Sequence, residues 1–281
     1  MQTAMRTCLS LTKKVNHKVI TPNSSIESKK IRIGSVAVDF MALPELMDRL
    51  DEMVNDGCSH YVCFCDLKLW SSAMTDENTC RILDQASMVL PDGIFVTAGA
   101  RLKGQKGCCR MPGPLVMLEY CRYSVKKERK HFLYGGSKGV AELLAADLKQ
   151  RFPGIKIAGL YSPPFRPLTP KEEIQVKNRI EASQADVLWV GLGAPKQERW
   201  MAAHIGRINV PLMLGVGAAF DFHSGRRKRA PAFAQKIGLE WLYCTVTGGR
   251  KIFFRNVKYV FLMCYILIKQ LGLRKCKDLL L

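Results

Sequence analysis

With 281 residues, 48% apolar and 24% charged, the chain is long enough to bury a core and too apolar to be disordered throughout. Its 43 Lys and Arg against 24 Asp and Glu leave a net charge of +19, which calls for an anionic partner: nucleic acid, a phosphate-rich ligand or an anionic membrane face. The 11 cysteines are odd in number and scattered through apolar stretches behind no secretory signal, so they read as reduced thiols and not as a disulfide scaffold.

Residues 1–30 carry six Lys or Arg, one acid (Glu27) and no apolar run, and read as a disordered basic tail; a transit segment is the alternative. From Ile31 the pattern turns to α/β. Strands are expected at Ile31–Phe40, His60–Phe64, Ser87–Leu90, His131–Tyr134, Ile155–Leu160, Asp186–Val190 and Pro211–Gly215. Helices are expected at Glu45–Val54, Pro114–Lys127, Lys138–Arg151, Lys171–Ala182 and Lys196–His204. This alternation predicts a Rossmann-like, mostly parallel sheet with helices on both faces, spanning residues 31–243. Ligands of such sheets sit beyond the carboxyl ends of the strands.

The residues that close each strand are therefore informative. Pro91-Asp92-Gly93 closes one strand, Gly135-Gly136-Ser137-Lys138-Gly139 a second, Gly191-Leu192-Gly193-Ala194-Pro195-Lys196-Gln197-Glu198 a third, and Val216-Gly217-Ala218-Ala219-Phe220-Asp221-Phe222 a fourth. Gly135, Gly136, Gly191 and Gly193 fit either tight strand–helix turns or backbone approach to a diphosphate. Neither a G-x-G-x-x-G fingerprint nor a Walker A loop is present. Asp92 fits a general base in the ligand crevice and equally a helix cap. Gln197 and Glu198, in the first turn of a helix, can bind a ligand hydroxyl or merely start the helix. Asp221 can accept from a ribose or cap a loop. The chain has no D-x-D motif, so a divalent ion on a diphosphate is not expected, and cations with backbone N–H groups must serve instead. Cys63, Cys65, Cys108 and Cys109 number four, but without a C-x-x-C pair they read as buried thiols before a zinc site.

Taken together, Val89-Leu90-Pro91-Asp92-Gly93, Phe132-Leu133-Tyr134-Gly135-Gly136, Val190 to Glu198 and Gly217 to Phe222 resemble the WecG/TagA/CpsF glycosyltransferases in order and spacing. Arg229-Ala230-Pro231 and Gly238-Leu239-Glu240-Trp241-Leu242-Tyr243 extend the likeness, which covers roughly Ile31 to Tyr243. The resemblance implies an inverting, metal-independent and cofactor-free enzyme. Such an enzyme moves N-acetylmannosamine, its uronic acid or a related hexose from a UDP donor to a saccharide on a polyprenyl diphosphate. It implies Asp92 as base, Gln197 and Asp221 as donor-binding residues, and Arg110, in Arg110-Met111-Pro112-Gly113, as a stabiliser of departing UDP. The chain departs from the family pattern at three places: Cys63-Phe64-Cys65 replaces Thr-x-Asn, Leu115 an Asp and Cys244 an Arg. At Cys65 the substrate pocket thereby lacks an amide donor and acceptor. The competing readings are an impaired homologue that binds nucleotide sugar without turnover, and a Rossmann-type oxidoreductase.

Residues 244–281 hold eight Lys or Arg and one acid, with ten consecutive apolar residues at Tyr259–Ile268. That run is shorter than the roughly 20 residues a membrane span requires. Flanked by Arg250, Lys251, Arg255 and Lys258, it fits an amphipathic helical appendage lying on an anionic membrane, on the inner face of the cell membrane of a cytoplasmic protein. The alternatives are a helix packed on the core and a homo-oligomer interface. Nucleic acid has no recognition motif here.

Overall fold

The computed structural model describes residues 29–104, 108–227, 230, 231, 243 and 250–278, so most of the expected N-terminal tail lies outside the described residues. The chain opens with strands β1 (Lys29–Ile33) and β2 (Val36–Phe40), where one strand over Ile31–Phe40 was expected. Gly34, at φ +64°, and Ser35 form a two-residue turn that folds the run back on itself, pairing Ile33 with Val36. Glycine at the first turn position supplies the positive φ that a tight hairpin of this kind demands.

Six strands then form one parallel sheet: β3 (His60–Cys65), β4 (Met88–Pro91), β5 (Lys130–Gly135), β6 (Lys156–Tyr161), β7 (Val187–Gly191) and β8 (Leu212–Gly215). Their order is β4-β3-β8-β7-β5-β6. Ten helices are described: α1 (Leu43–Asn55), α2 (Leu67–Thr75), α3 (Glu77–Gln85), α4 (Ile94–Leu102), α5 (Gly113–Val125), α6 (Val140–Arg151), α7 (Pro170–Ala182), α8 (Lys196–His204), α9 (Ala219–His223) and α10 (Arg250–Asp278).

Strand alternation divides the buried side chains into two cores. Tyr61, Cys63 and Cys65 of β3, with Leu188 and Val190 of β7, face α2, α3, α4, α7, α8 and the hairpin. Val62 and Phe64, with Val187 and Trp189, face α1, α5, α6 and α9. This period of two on a sheet covered on both faces is what makes the strands apolar throughout. Helices join by their own periodicity: α1 buries Leu46, Met47, Leu50, Met53 and Val54, one stripe at helical spacing. The expected layered α/β architecture is present, with all six strands of the parallel sheet ending on the same edge.

A long helix, α10, lies against α2. Met263 is buried there, and Tyr259, Val260, Leu262 and Ile266 pack partly into the same core. Phe254, Phe261, Tyr265 and Ile268 are exposed. Of the four cations expected in this appendage, Arg250 and Lys258 are exposed, while the side chains of Lys251 and Arg255 lie outside the described residues. No helix among the described residues is long and apolar enough to cross a membrane.

Candidate functional site

The carboxyl edge of β3 and β4 is built first from backbone. The N–H groups of Asp92 and Gly93 both donate to the Cys65 carbonyl, at 3.1 and 3.4 Å, which ties the two strand ends together. Gly93 is the N-cap of α4, with Asp92 one residue before it. Gly93 lies against the start of α2, where a Cβ would stand 3.4 Å from Asp66 Cα, an ordinary contact. Met111 N–H donates to the Pro91 carbonyl at 2.7 Å, bringing the Arg110 segment to the strand end that carries Asp92. Cys65 is fully buried, and its thiol is pushed well up by desolvation first, then by Asp66, Glu198 and Asp92.

Asp66 is a residue the sequence reading missed. It caps α2, its Oδ1 accepting from Leu69 N–H at 2.7 Å, and it sits beside Cys65 at the head of the crevice. An acid directly after a buried strand was the available signal. Lys68, two residues on, donates from Nζ to the Ala194 carbonyl at 2.6 Å and so joins the β3 and β7 loops.

The glycine turns are governed by packing. Gly135 stands against Gly191: a Cβ on Gly135 would meet Gly191 backbone atoms at 2.5 Å. A Cβ on Gly191 would in turn meet the Phe220 ring at 2.5 Å. Gly136 N–H donates to the Gly191 carbonyl at 3.0 Å, and Gly193 N–H donates to Gln197 Oε1 at 3.1 Å. Those two donors are committed to the protein, so Gly136 and Gly193 provide curvature and space at this edge. Asp221 lies in the first turn of α9, its carbonyl accepting from Arg227 N–H at 2.9 Å.

Gln197 is buried, and its amide is used in full view of the same edge: Nε2 donates to the Gly215 carbonyl at 2.6 Å and to Glu198 Oε1 at 2.9 Å. It thus clamps the β7 loop to the end of β8. Glu198 is 0% exposed, and its Oε2 has no hydrogen-bond partner among the described residues. Desolvation pushes its carboxyl up to about 7, with Asp66 adding to the rise and Gln197 and Lys68 opposing it. Beneath the sheet's other face, His131 Nδ1 accepts from Trp189 Nε1 at 3.0 Å. Its Nε2–H therefore donates to Ser124 Oγ at 2.8 Å, and burial pushes the imidazole down to about 3.

These two groups act on stability with opposite signs. Glu198, raised above its ordinary value, contributes stability that is full below pH 4.5 and is lost as pH rises through about 7. His131, lowered, contributes stability that is full above pH 6.5 and is lost as pH falls through about 3. Thermal midpoints of the parent should fall between pH 6 and pH 8 relative to Glu198→Gln, by roughly 1–3 kcal/mol of stability. Parallel pH profiles of parent and variant would remove Glu198 as the cause.

The four cysteines considered for zinc do not converge: the group of metal-capable side chains among the described residues is Asp56, Cys58 and His60, at the opposite end of β3. A cavity of about 500 Å³ lined by Leu118, Arg122, Val125, Lys126, Arg151, Phe152 and Pro153 also lies away from this edge. The hydrogen-bonded polar groups of Lys68, Gln197 and Glu198 converge at the strand ends. Arg229 and Gly238–Leu242 of the expected motifs lie outside the described residues.

The profile of the Glycosyl transferase WecG/TagA/CpsF family matches residues 31–276. An N-acetylglucosaminyldiphosphoundecaprenol N-acetyl-beta-D-mannosaminyltransferase of Staphylococcus aureus (strain MRSA252) is 31% identical over 235 residues, 83% of this chain and 91% of the relative. Its counterpart from strain NCTC 8325 / PS 47 is 30% identical over the same shares. The family profile spans every strand-end motif, and the chain belongs to the WecG/TagA/CpsF family of glycosyltransferases.

Proposed function

We propose that the chain transfers N-acetylmannosamine from a UDP donor to the N-acetylglucosamine of an undecaprenyl-diphosphate-linked acceptor, in the making of a cell-envelope polymer. The reading is carried by the likeness to relatives named for that reaction over 83% of the chain. The strand-end geometry supplies parts suited to it. Asp92 takes the proton of the acceptor hydroxyl as that oxygen attacks the anomeric carbon from the face opposite UDP, inverting the centre. Arg110, brought to the same strand end, offsets the charge growing on the leaving diphosphate. Gly135, Gly136, Gly191 and Gly193 leave room for the donor to approach, and Asp221 accepts from its ribose. Gln197 and Glu198 act from beneath, by fixing the floor between β7 and β8. With no D-x-D pair in the sequence, the displacement is assigned to protein cations without a metal.

The body spanning 31–243 is assigned the chemistry and the appendage spanning 244–281 the membrane. Phe254, Phe261, Tyr265 and Ile268 recur at spacings of seven, four and three on α10, which places them on one helical side. Exposed Arg250, Lys258 and Lys269 accompany them. An aromatic, basic helix side suits the interface of an anionic bilayer, where the acceptor lipid is anchored on the inner face of the cell membrane. A second copy of the chain is the other cover for that side.

A second reading, nucleotide-sugar binding without turnover, draws on Cys63 and Cys65. Both thiols are buried, and their pKa values are raised by desolvation first and by Glu198 as well, whose Oε2 has no hydrogen-bond partner among the described residues. One assay separates the readings: UDP release from UDP-N-acetylmannosamine, with the acceptor in anionic vesicles and EDTA present. We expect acceptor-dependent, EDTA-resistant release, and loss of vesicle binding when the chain ends at Tyr243. UDP binding with no release from any hexosamine donor would establish the second reading instead.

A further inference from the structure

The amino end of β3 gathers three metal-capable side chains that the sugar transfer does not use. Asp56, Cys58 and His60 each bring one ligand atom, and these atoms lie within 4.8 Å of one another. The chain makes this convergence locally. Asp56 is the C-cap of α1, still in the right-handed helical region. Gly57 then takes φ +78°, which turns the chain back. Cys58 N–H donates to Asp56 Oδ1 at 2.9 Å, leaving Oδ2 turned to His60. Cys58, a half-buried thiol in no disulfide, stands two residues before His60, a spacing that puts both on one side as the chain becomes extended.

The His60 ring is held from behind. It is buried, with Nδ1 2.9 Å from Ser87 Oγ and Nε2 2.8 Å from Asp56 Oδ2. Ser87 is fixed in turn, its N–H donating to the Tyr61 carbonyl at 3.1 Å. A ligating imidazole needs such a partner on its other nitrogen to set the ring and the tautomer, and a hydroxyl can donate or accept as required.

From these residues we infer that Asp56, Cys58 and His60 bind a zinc ion at the amino edge of the sheet. A sulfur, a nitrogen and a carboxylate oxygen suit zinc, whereas magnesium and calcium take oxygen ligands. One thiolate and one carboxylate balance the charge of the ion, and three protein ligands leave the fourth tetrahedral position to water. Bonds of about 2.0–2.3 Å set tetrahedral ligand atoms roughly 3.3–3.7 Å apart, so about an ångström of side-chain motion closes the set. Asp56, its side chain 44% exposed, has room for that motion. On binding, the Cys58 thiol gives its proton to water. The carboxylate can only accept, so Nε2 carries a proton before the ion arrives; the ion takes the tautomer protonated at Nδ1, whose N–H donates to Ser87 Oγ. His60 and Cys65 are the two ends of β3, about 16 Å apart at roughly 3.3 Å per residue, so the ion stands clear of the transfer chemistry. It acts as a clamp, tying the end of α1 to β3 and, through Ser87, to the start of β4.

The test is calorimetric titration of zinc into the reduced, EDTA-stripped full chain, into Cys58→Ser, Asp56→Asn and Ser87→Ala, with cobalt as a spectroscopic substitute. The parent should bind one zinc per chain and unfold at a higher temperature with it. Cys58→Ser should lose that zinc, the temperature rise and the thiolate-to-cobalt charge-transfer band. Asp56→Asn should lose the zinc as well, and Ser87→Ala should weaken it about tenfold to a hundredfold, the range for a ligand's supporting partner. A parent that takes up no zinc overturns the site, as does parental zinc affinity in Cys58→Ser or Asp56→Asn. UDP release should be the same with zinc and with EDTA; release that stops when zinc is removed would overturn the clamp by putting the ion at the transfer site.

Discussion

Asp92→Asn should lower acceptor-dependent UDP release by about 10²–10⁴-fold, the span a positioned general base contributes. That corresponds to roughly 3–5 kcal/mol of barrier. The substitution keeps the side chain's size while removing its capacity to take a proton. The tie between the strand ends survives the substitution, because it is made by backbone: Asp92 N–H and Gly93 N–H hold the Cys65 carbonyl, and Gly93 caps α4. UDP affinity should therefore stay within about threefold of the parent, leaving the loss in kcat. Asn with parental turnover would exclude Asp92 as base. Asn that no longer binds UDP would make the residue a ligand contact and not a proton acceptor.

Gly135→Ala should destabilise the protein by about 3 kcal/mol or more, whereas Gly139→Ala should cost about 1 kcal/mol. Both glycines have positive φ, +138° and +87°, so both substitutions carry backbone strain. They differ in what the new methyl group meets. At Gly135 it falls 2.5 Å from Gly191 backbone, which cannot step aside without parting β5 from β7; at Gly139 nothing lies within 4 Å. Urea midpoints compare the two directly, with equal losses counting against the packing argument. Because Gly135 lies among the turns assigned to the donor, its substitution should loosen UDP binding even in molecules that remain folded.

The sequence made the strands and their ends legible because a sheet covered on both faces writes itself as short apolar runs ending in turn residues. His131–Tyr134, Asp186–Val190 and Pro211–Gly215 fall on β5, β7 and β8 for that reason. The hairpin was hidden because Gly34-Ser35 interrupts a run that is apolar on both sides, and only the reversal shows which residues pair. Helices α2, α3 and α4 were not separated from their surroundings; α2 and α3 are nine residues each, joined through Asp76, which is at once the C-cap of one and the N-cap of the other. At the site, motif order identified Asp92 and Gln197 as residues to watch. It could not tell that the Gln197 amide is spent in part on Gly215, which only the adjacency of β7 and β8 brings to it. The same holds for Lys68, an ordinary residue in sequence whose partner, the Ala194 carbonyl, lies far along the chain. For α10, both structural alternatives had merit: one side packs on the core while another remains aromatic and exposed.

The strand order also has a consequence for synthesis. β3 pairs with β4 and β8, while β5 pairs with β6 and β7. Only β8, four residues from Leu212 to Gly215, touches both sets, through β3 on one side and β7 on the other. A nascent chain that has emerged only to Val210 therefore holds two half-sheets with no shared edge, Asp92 on one and Gln197 beyond the other. Closing them requires contacts between residues near 62 and residues near 214, a long-range step of the kind that slows folding. The crevice is thus among the last features of the body to form, and an unfinished chain can fold much of its mass while having no site with which to consume a donor.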